Sequence, residues 1–186
     1  MTSPILTISG FSGAGKDTLI SELLAKYPDR LQRAVASTTR PPRDTEVHGL
    51  DYHFLSNDQF DAQIAQDHFF ETIDFSGYRN GSPHPSKLTL LQDQLPIYKI
   101  DIRGVLKYQA TFPQTKSIFL YIPAHIQRER LEARGTDPEQ IALRQAHYQH
   151  ESELIKAHAN QFEILEHSAP EDLEKAMTHI ENLLQL

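Results

Sequence analysis

Short apolar runs of β type alternate along this chain with segments whose apolar residues recur every three or four positions. The β-type runs span 5–9, 34–37, 97–102, 117–122 and 162–165, and the helical patterns 15–26, 124–134, 139–158 and 170–184. In the last of these, Leu173, Met177, Ile180 and Leu184 share one face, and Ser168-Ala169-Pro170-Glu171 has the spacing of a capping box. Strands interleaved with helices predict an α/β domain with a mainly parallel sheet flanked by helices. Between Arg40 and about Pro96 the pattern changes. This stretch holds the aromatic pieces Asp51-Tyr52-His53-Phe54-Leu55 and Phe69-Phe70-Glu71, a turn signal at Asn80-Gly81-Ser82, and a capping box, Ser56 to Gln59, that opens a short helix. It reads as a small α+β insertion able to hold a second substrate. A polar, arginine-bearing stretch, 128–144, is a candidate lid.

Composition changes this picture little. A chain of 186 residues suits one domain with a sizeable core. A formal charge of −7 argues against a nucleic-acid-binding surface while permitting a local basic pocket. No apolar run approaches the length of a membrane span, and the first residues lack the features of a signal peptide, so a cytoplasmic protein is expected. The absence of cysteine excludes disulfides and thiolate ligands.

The candidate chemistry begins where the first apolar run enters a glycine-rich loop. Gly10-Phe11-Ser12-Gly13-Ala14-Gly15-Lys16-Asp17-Thr18 reads G-x-x-x-x-G-K between a strand and a helix, the context a phosphate-binding P-loop requires. Gly10, Gly13 and Gly15 let backbone N–H groups turn inward, the helix N-terminus adds partial positive charge, and Lys16 can reach the β- and γ-phosphates. With Ser12, Ala14, Asp17 and Thr18 these residues form a candidate ATP site. Asp17 stands where a Ser or Thr hydroxyl usually ligates Mg²⁺. A carboxylate is a suitable oxygen ligand, direct or through water, and it equally suits the first turn of a helix. Downstream, Ser37-Thr38-Thr39-Arg40-Pro41-Pro42-Arg43 sets two arginines three positions apart in a proline-stiffened loop. Spacing alone fits a solvated charged loop as well as a phosphate fork; the position at the carboxyl end of a strand favours the fork.

These blocks, with Glu46, Gly49-Leu50-Asp51-Tyr52-His53-Phe54, Phe70-Glu71, Gly81-Ser82, Asp101-Ile102-Arg103-Gly104 and Arg130-Leu131-Glu132-Ala133-Arg134-Gly135-Thr136, stand in the order of the guanylate kinase family. The chain resembles that family from about Ile5 to Leu184. The resemblance implies a P-loop NTPase-type fold in three parts: a core of about 1–37, 97–127 and 160–186, an acceptor-binding insertion of about 38–96 and a helical lid of about 128–159. It implies phosphorylation of GMP or dGMP by ATP with Mg²⁺, and no nucleic-acid or membrane partner. By the same resemblance Ser37, Arg40, Arg43 and Tyr52 would hold the acceptor phosphate, and Glu71, Ser82 and Asp101 would read guanine. A carboxylate accepts from N1–H and the 2-amino group and a hydroxyl donates to O6; adenine presents the opposite pattern at those edges. Arg134 and Arg144 would come from the lid and, with Lys16, Arg40 and Arg43, neutralise the transferring phosphoryl group.

Four departures from the family pattern stand out. Asp17 replaces the loop hydroxyl. Asn80 replaces a phosphate-binding tyrosine, with Tyr78 and Arg79 as neighbours able to compensate. Lys99 replaces an aspartate, and strand alternation would put it on the same face as Asp101, where it either pairs with that carboxylate or contacts a ligand phosphate. Leu165-Glu166-His167-Ser168 replaces an Asn-Asp pair, which leaves the adenine contacts open. Two rivals follow. Kinases of ribose 1,5-bisphosphate resemble this family and share the aspartate after the loop lysine; Asp17, Asn80 and Lys99 favour that reading, and Glu71 and Ser82, of no use to a base-free acceptor, oppose it. A binding module without turnover is opposed by Lys16 and the lid arginines. Without the resemblance, Glu71 reads as a solvated strand carboxylate and Ser82 as a turn hydroxyl. His147, His150 and Glu151 share a helical face but lack a clear third metal ligand.

Overall fold

The computed structural model describes residues 4–75 and 77–186. The chain opens with β1 (Leu6–Gly10), α1 (Lys16–Lys26) and β2 (Leu31–Arg33). A second group follows: β3 (Ser37–Thr38), β4 (His53–Phe54), α2 (Asn57–Ala65), β5 (Phe69–Phe75) and β6 (Tyr78–Pro83). The chain then returns through β7 (Leu95–Lys99), α3 (Ile102–Thr111), β8 (Lys116–Tyr121), α4 (Ala124–Ala133), α5 (Pro138–Ala157), β9 (Glu163–Glu166) and α6 (Asp172–Leu184).

Two sheets result. The main sheet, in the order β2-β7-β1-β8-β9, is parallel throughout. Its central strands are buried on both faces: Leu6, Ile8, Ile97, Ile118 and Leu120 have no exposed surface. That is why they read as continuous apolar runs rather than alternating ones. Helices cover it, with Leu19, Ile20 and Leu23 of α1, Val105 and Tyr108 of α3 and Ile180 of α6 in the core. The smaller sheet, β4-β3-β6-β5, is mixed: β3 pairs parallel to β4 and antiparallel to β6. Its α2 helix starts at the anticipated capping box, Ser56 Oγ accepting from Gln59 N and Gln59 Oε1 from Ser56 N. No helix among the described residues is long and apolar enough to cross a membrane.

Three local expectations fail for identifiable reasons. The apolar run 34–37 is no single strand but the crossover between the two sheets. Ala34 N bonds Ile97 O in the main sheet, and Ala36 O accepts from His53 N in the small one. The run 97–102 stops at Lys99, because Asp101 caps α3 by accepting from Gly104 N at 2.7 Å. Carrying the strand through Ile102, the first residue of α3, hid that helix. Finally, α6 starts at Asp172 and is not opened by a Ser168 capping box. The Asp172 carboxylate itself accepts from Ser168 N and Ala169 N, while the Ser168 hydroxyl donates to Glu166.

Candidate functional site

All strands of the main sheet point their carboxyl ends to one edge, where β1 runs into the glycine loop. Gly15, the N-cap of α1, has φ of 85°, and a Cβ there would stand 2.6 Å from His167 Cε1. Only glycine meets both conditions. The Lys16 ammonium folds back over the loop and donates to the carbonyls of Gly10 (2.6 Å) and Phe11 (3.0 Å). Burial brings its pKa down to about 8; Glu151 and Asp17 oppose the shift, and Lys99 and Arg144 add to it.

Three consecutive loop residues are gripped from the far end of the chain. Ser12 Oγ accepts from Arg144, Gly13 O accepts from Arg130 at 3.1 Å, and Ala14 O lies 2.6 Å from His167 Nδ1. Arg130 also donates to Ser168 O, tying α4 to the segment after β9. Stacking of Tyr148 on Phe11, with ring centroids 3.9 Å apart, and a bond from Tyr148 Oη to Ile122 O fix α5 to the core. Burial lowers the Arg144 pKa, and the charges of Arg43 and Arg134 lower it further, so guanidiniums from three segments face a common space. Sequence reasoning missed Arg130 and His167. The available signals were the i, i+4 spacing of Arg130 and Arg134 on a helix and the place of His167 just past a sheet strand.

Asp17 is exposed, and its Oδ1 accepts from both Lys99 Nζ (2.7 Å) and Arg33 (2.9 Å). Burial pushes this carboxyl up, but the two cations outweigh it and hold it below its ordinary value. Lys99 therefore pairs with Asp17, not with Asp101 as strand alternation suggested, because β7 ends at Lys99 and Asp101 turns away to cap α3. Thr18 is exposed on the first turn of α1.

On the facing side the two arginines converge on one carboxylate. Arg40 pairs bidentately with Glu46, at 2.8 and 2.9 Å, and Arg43 contributes its backbone N–H at 2.8 Å. The Glu46 bond raises the Arg40 pKa. Burial pushes Glu46 up, but its donors outweigh that and keep it ionised. The Arg43 side chain itself is largely exposed. Arg40 lies over Tyr52 and Phe54, each 5.6 Å from its ring centroid, and the Tyr52 ring is 4.8 Å from Lys99 Nζ. Ser37 stands apart: it is fully buried, and its hydroxyl donates to Gln63 Oε1. Asn80 pairs with Thr38 across the β3–β6 ladder, and Arg79 is committed to Asp61. Tyr78, already named as able to compensate for Asn80, adds the smallest of the upward pushes on the Arg40 pKa.

The third wall is a carboxyl cluster. The β5–β6 register sets Glu71 opposite Ser82, whose hydroxyl donates to Glu71 Oε1 at 3.4 Å. The carboxylate rests against α3 so closely that a Cβ on Gly104 would stand 2.6 Å from Oε2. Burial, then the negative charge of Asp101, pushes the Glu71 pKa up to about 7, against the pull of Lys107 and Ser82. Buried Tyr98 and Tyr108 both donate to Pro83 O and pin this end of β6 to the core. Among the described residues no cluster of three or more His, Asp or Glu could hold a metal, so His147, His150 and Glu151 form no such site. His150 instead lies 2.8 Å from Arg103.

A parallel sheet whose first strand feeds a glycine loop, a lysine and a helix N-terminus defines a P-loop nucleotide-binding protein. The profile of the guanylate kinase family matches residues 2–186. The chain is 36% identical over 183 residues to a guanylate kinase of Thermosynechococcus vestitus, covering 97% of this chain and 92% of that protein. It is 39% identical over 155 residues to one of Gloeobacter violaceus, covering 82% and 75% respectively. In fold it is similar to the crystal structure of guanylate kinase from Anaplasma phagocytophilum, with a TM-score of 0.71 at 22% identity, over 98% of this chain and 85% of that one. The chain belongs to the guanylate kinase family.

Proposed function

We propose that this chain transfers the γ-phosphoryl group of ATP to GMP or dGMP. An oxygen of the acceptor phosphate attacks the γ-phosphorus in line, the bond to the β–γ bridging oxygen breaks, and ADP and the nucleoside diphosphate leave. Little covalent work falls to the protein; positioning and charge do the rest. Residues 10–18 would cradle the donor, with Lys16 on its β- and γ-phosphates; a phosphate beside a lysine whose pKa is near 8 restores its full charge. The charges of Arg43 and Arg134 both disfavour that of Arg144, a repulsion that a polyphosphate would convert into attraction. Arg40, fixed by Glu46 and flanked by Tyr52 and Tyr78, would hold the acceptor phosphate. Ser37 joins this set only if Gln63 releases its hydroxyl. The α4–α5 hairpin would act as the lid and residues 38–96 as the acceptor-binding part.

The observation that carries the choice of acceptor is Glu71. Its carboxyl is partly buried, paired with Ser82, beside Asp101, and balanced near neutrality. Guanine offers two donors and one acceptor on one edge, which fits a carboxylate and a hydroxyl side by side; a sugar bisphosphate has no use for either. Mg²⁺ would accompany the triphosphate. Asp17 does not fit as its direct ligand, since Lys99 and Arg33 already share one carboxylate oxygen.

The test is ADP release with GMP, dGMP, AMP and ribose 1,5-bisphosphate as acceptors. GMP and dGMP are expected to turn over, and AMP far more poorly. Turnover with the sugar bisphosphate and none with GMP would transfer the assignment, and ATP binding without turnover on any acceptor would make the chain a binding module.

A further inference from the structure

Where the acceptor wall meets the donor loop stands a cation to which the phosphotransfer reading gives no role. Lys99 ends β7, in register with Ile8 of β1, so it stands beside the strand that feeds the loop. Its side chain is mostly buried, its Nζ is 2.7 Å from Asp17 Oδ1, and the Tyr52 ring covers it at 4.8 Å. Its charge reaches Lys16 on the donor side, and through Tyr52 it adjoins Arg40 on the acceptor side. A lysine held only to stabilise the fold has no reason to bridge two phosphate-binding groups. The other partner of Asp17, Arg33, comes from β2, so the carboxylate is clasped from two strands.

This arrangement is at odds with a protein-held divalent ion at Asp17. A hard dication needs carboxylate oxygens free of competing cations. Here one oxygen accepts from an ammonium and a guanidinium, and a dication on the other would lie beside both positive charges. The remaining carboxylates near the loop are engaged elsewhere. Glu151 interacts with Lys16, and Asp101 caps α3.

We propose that Lys99, aimed by Asp17, is a phosphate-binding residue shared by donor and acceptor, and that its ammonium supplies the charge otherwise contributed by a divalent ion ligated to the protein. Asp17 is then a positioning residue and not a metal ligand. The inference rests on the phosphotransfer reading only in needing a triphosphate in the loop; it makes no use of which acceptor is phosphorylated.

The experiment is calorimetric titration of the full chain with ATP, in excess Mg²⁺ and in EDTA, at matched ionic strength. The native chain is expected to bind in EDTA within about fivefold of its affinity in Mg²⁺. Lys99→Met should weaken binding in EDTA at least tenfold, and Lys99→Arg should restore most of it. The double variant D17S/K99D, which replaces the ion pair by a hydroxyl and a lone carboxylate, should lose at least thirtyfold when Mg²⁺ is withdrawn. Circular dichroism identifies variants that fail to fold; should Lys99→Met be one, the native and double-variant comparison decides alone. Native binding that collapses without Mg²⁺, or a double variant no more metal-dependent than the native chain, overturns the proposal. A chain that binds no ATP in either condition sinks the donor site itself, a separate failure.

Discussion

The donor loop and the acceptor wall hold anions by different means. The loop is a backbone object. Glycines permit its turn, α1 directs N–H groups at it, and Arg144, Arg130 and His167 grip Ser12, Gly13 and Ala14 so that it keeps its shape. The wall is built of side chains from four separated stretches, 37–54, 71–82, 99 and 101–104, and each group is set by a partner's charge. Arg40 is fixed by Glu46, Glu71 is displaced by Asp101, and Lys99 is held by Asp17. A backbone cradle reads a phosphate whatever nucleoside carries it; a charge-balanced wall can distinguish bases, and one substitution can retune it.

The largest effect should come from the one side chain in the loop that bears charge. Lys16→Met is expected to lower kcat/KM by about 10²- to 10³-fold, the scale for losing a preorganised charge at a developing anion. Because the native ammonium is partly buried, thermal stability should change little or rise. ADP-release kinetics and a melting curve check both. A KM effect confined to GMP would break the division between loop and wall.

Next comes Glu71→Gln. If Glu71 reads two guanine donors as proposed, replacing its carboxylate should cost about 1.5–3 kcal/mol, roughly 10- to 150-fold in the KM for GMP, with ATP affinity almost unchanged. Equal losses for both nucleotides would show that Glu71 supports the fold and does not read a base. Gly104→Ala probes the same contact from behind. Its methyl group has no room beside the carboxylate, so a loss of roughly tenfold or more toward GMP is expected, again with ATP spared.

Acidity offers a smaller, graded test. With the Glu71 pKa near 7, its ionised fraction rises about tenfold between pH 6 and pH 8, and the KM for GMP should fall in proportion. Stability moves the other way. The folded chain keeps a proton that an ordinary carboxyl, with a value of 4.5, has released, so this group's contribution is fully present below about pH 4.5 and is lost as pH rises through about 7. In E71Q both slopes should flatten. A GMP profile unchanged by that substitution would assign the titration to another group.

The loop and the wall were unequally legible in the sequence, for the same physical reason that separates them in function. A P-loop is local: nine consecutive residues state the turn, the charge and the helix start, and β1 and α1 followed within a residue or two. The parallel sheet was equally readable, because strands buried on both faces are bare apolar runs. The partners of the wall depend on register and on where strands end. Lys99 was expected on the face of Asp101 because alternation was carried past the end of β7, and α3 went unseen because the same extension took its first residue, Ile102, into the strand. The match of Glu71 to Ser82 needed the β5–β6 register, and His167 needed the whole fold to bring it against Gly15. Family resemblance named most residues of the wall, but it could not give the charges that set them.

Tyr78 shows that limit and gives the finest test of the comparison. Asn80 stands where the family pattern has a phosphate-binding tyrosine, and the ladder directs it toward Thr38. Two residues earlier, Tyr78 begins β6. The β3–β6 ladder ends with Thr38 and Asn80, and Thr39 still bonds Arg79 through its N–H and hydroxyl, which leaves Tyr78 next along the strand on the Arg40 side. Its hydroxyl is thereby brought within electrostatic reach of the acceptor guanidinium, while Arg79 is held away by Asp61. A phenol displaced along the strand can thus replace the missing one, since the acceptor phosphate has several oxygens to offer. Tyr78→Phe removes only the hydroxyl, so the expected cost is about 1 kcal/mol, roughly fivefold in the KM for GMP, with kcat and ATP affinity unchanged. Asn80→Tyr in that background should recover the loss if a phenol at either position reaches the phosphate. A Tyr78→Phe chain indistinguishable from native, with Asn80→Ala weakening GMP instead, would return the contact to Asn80.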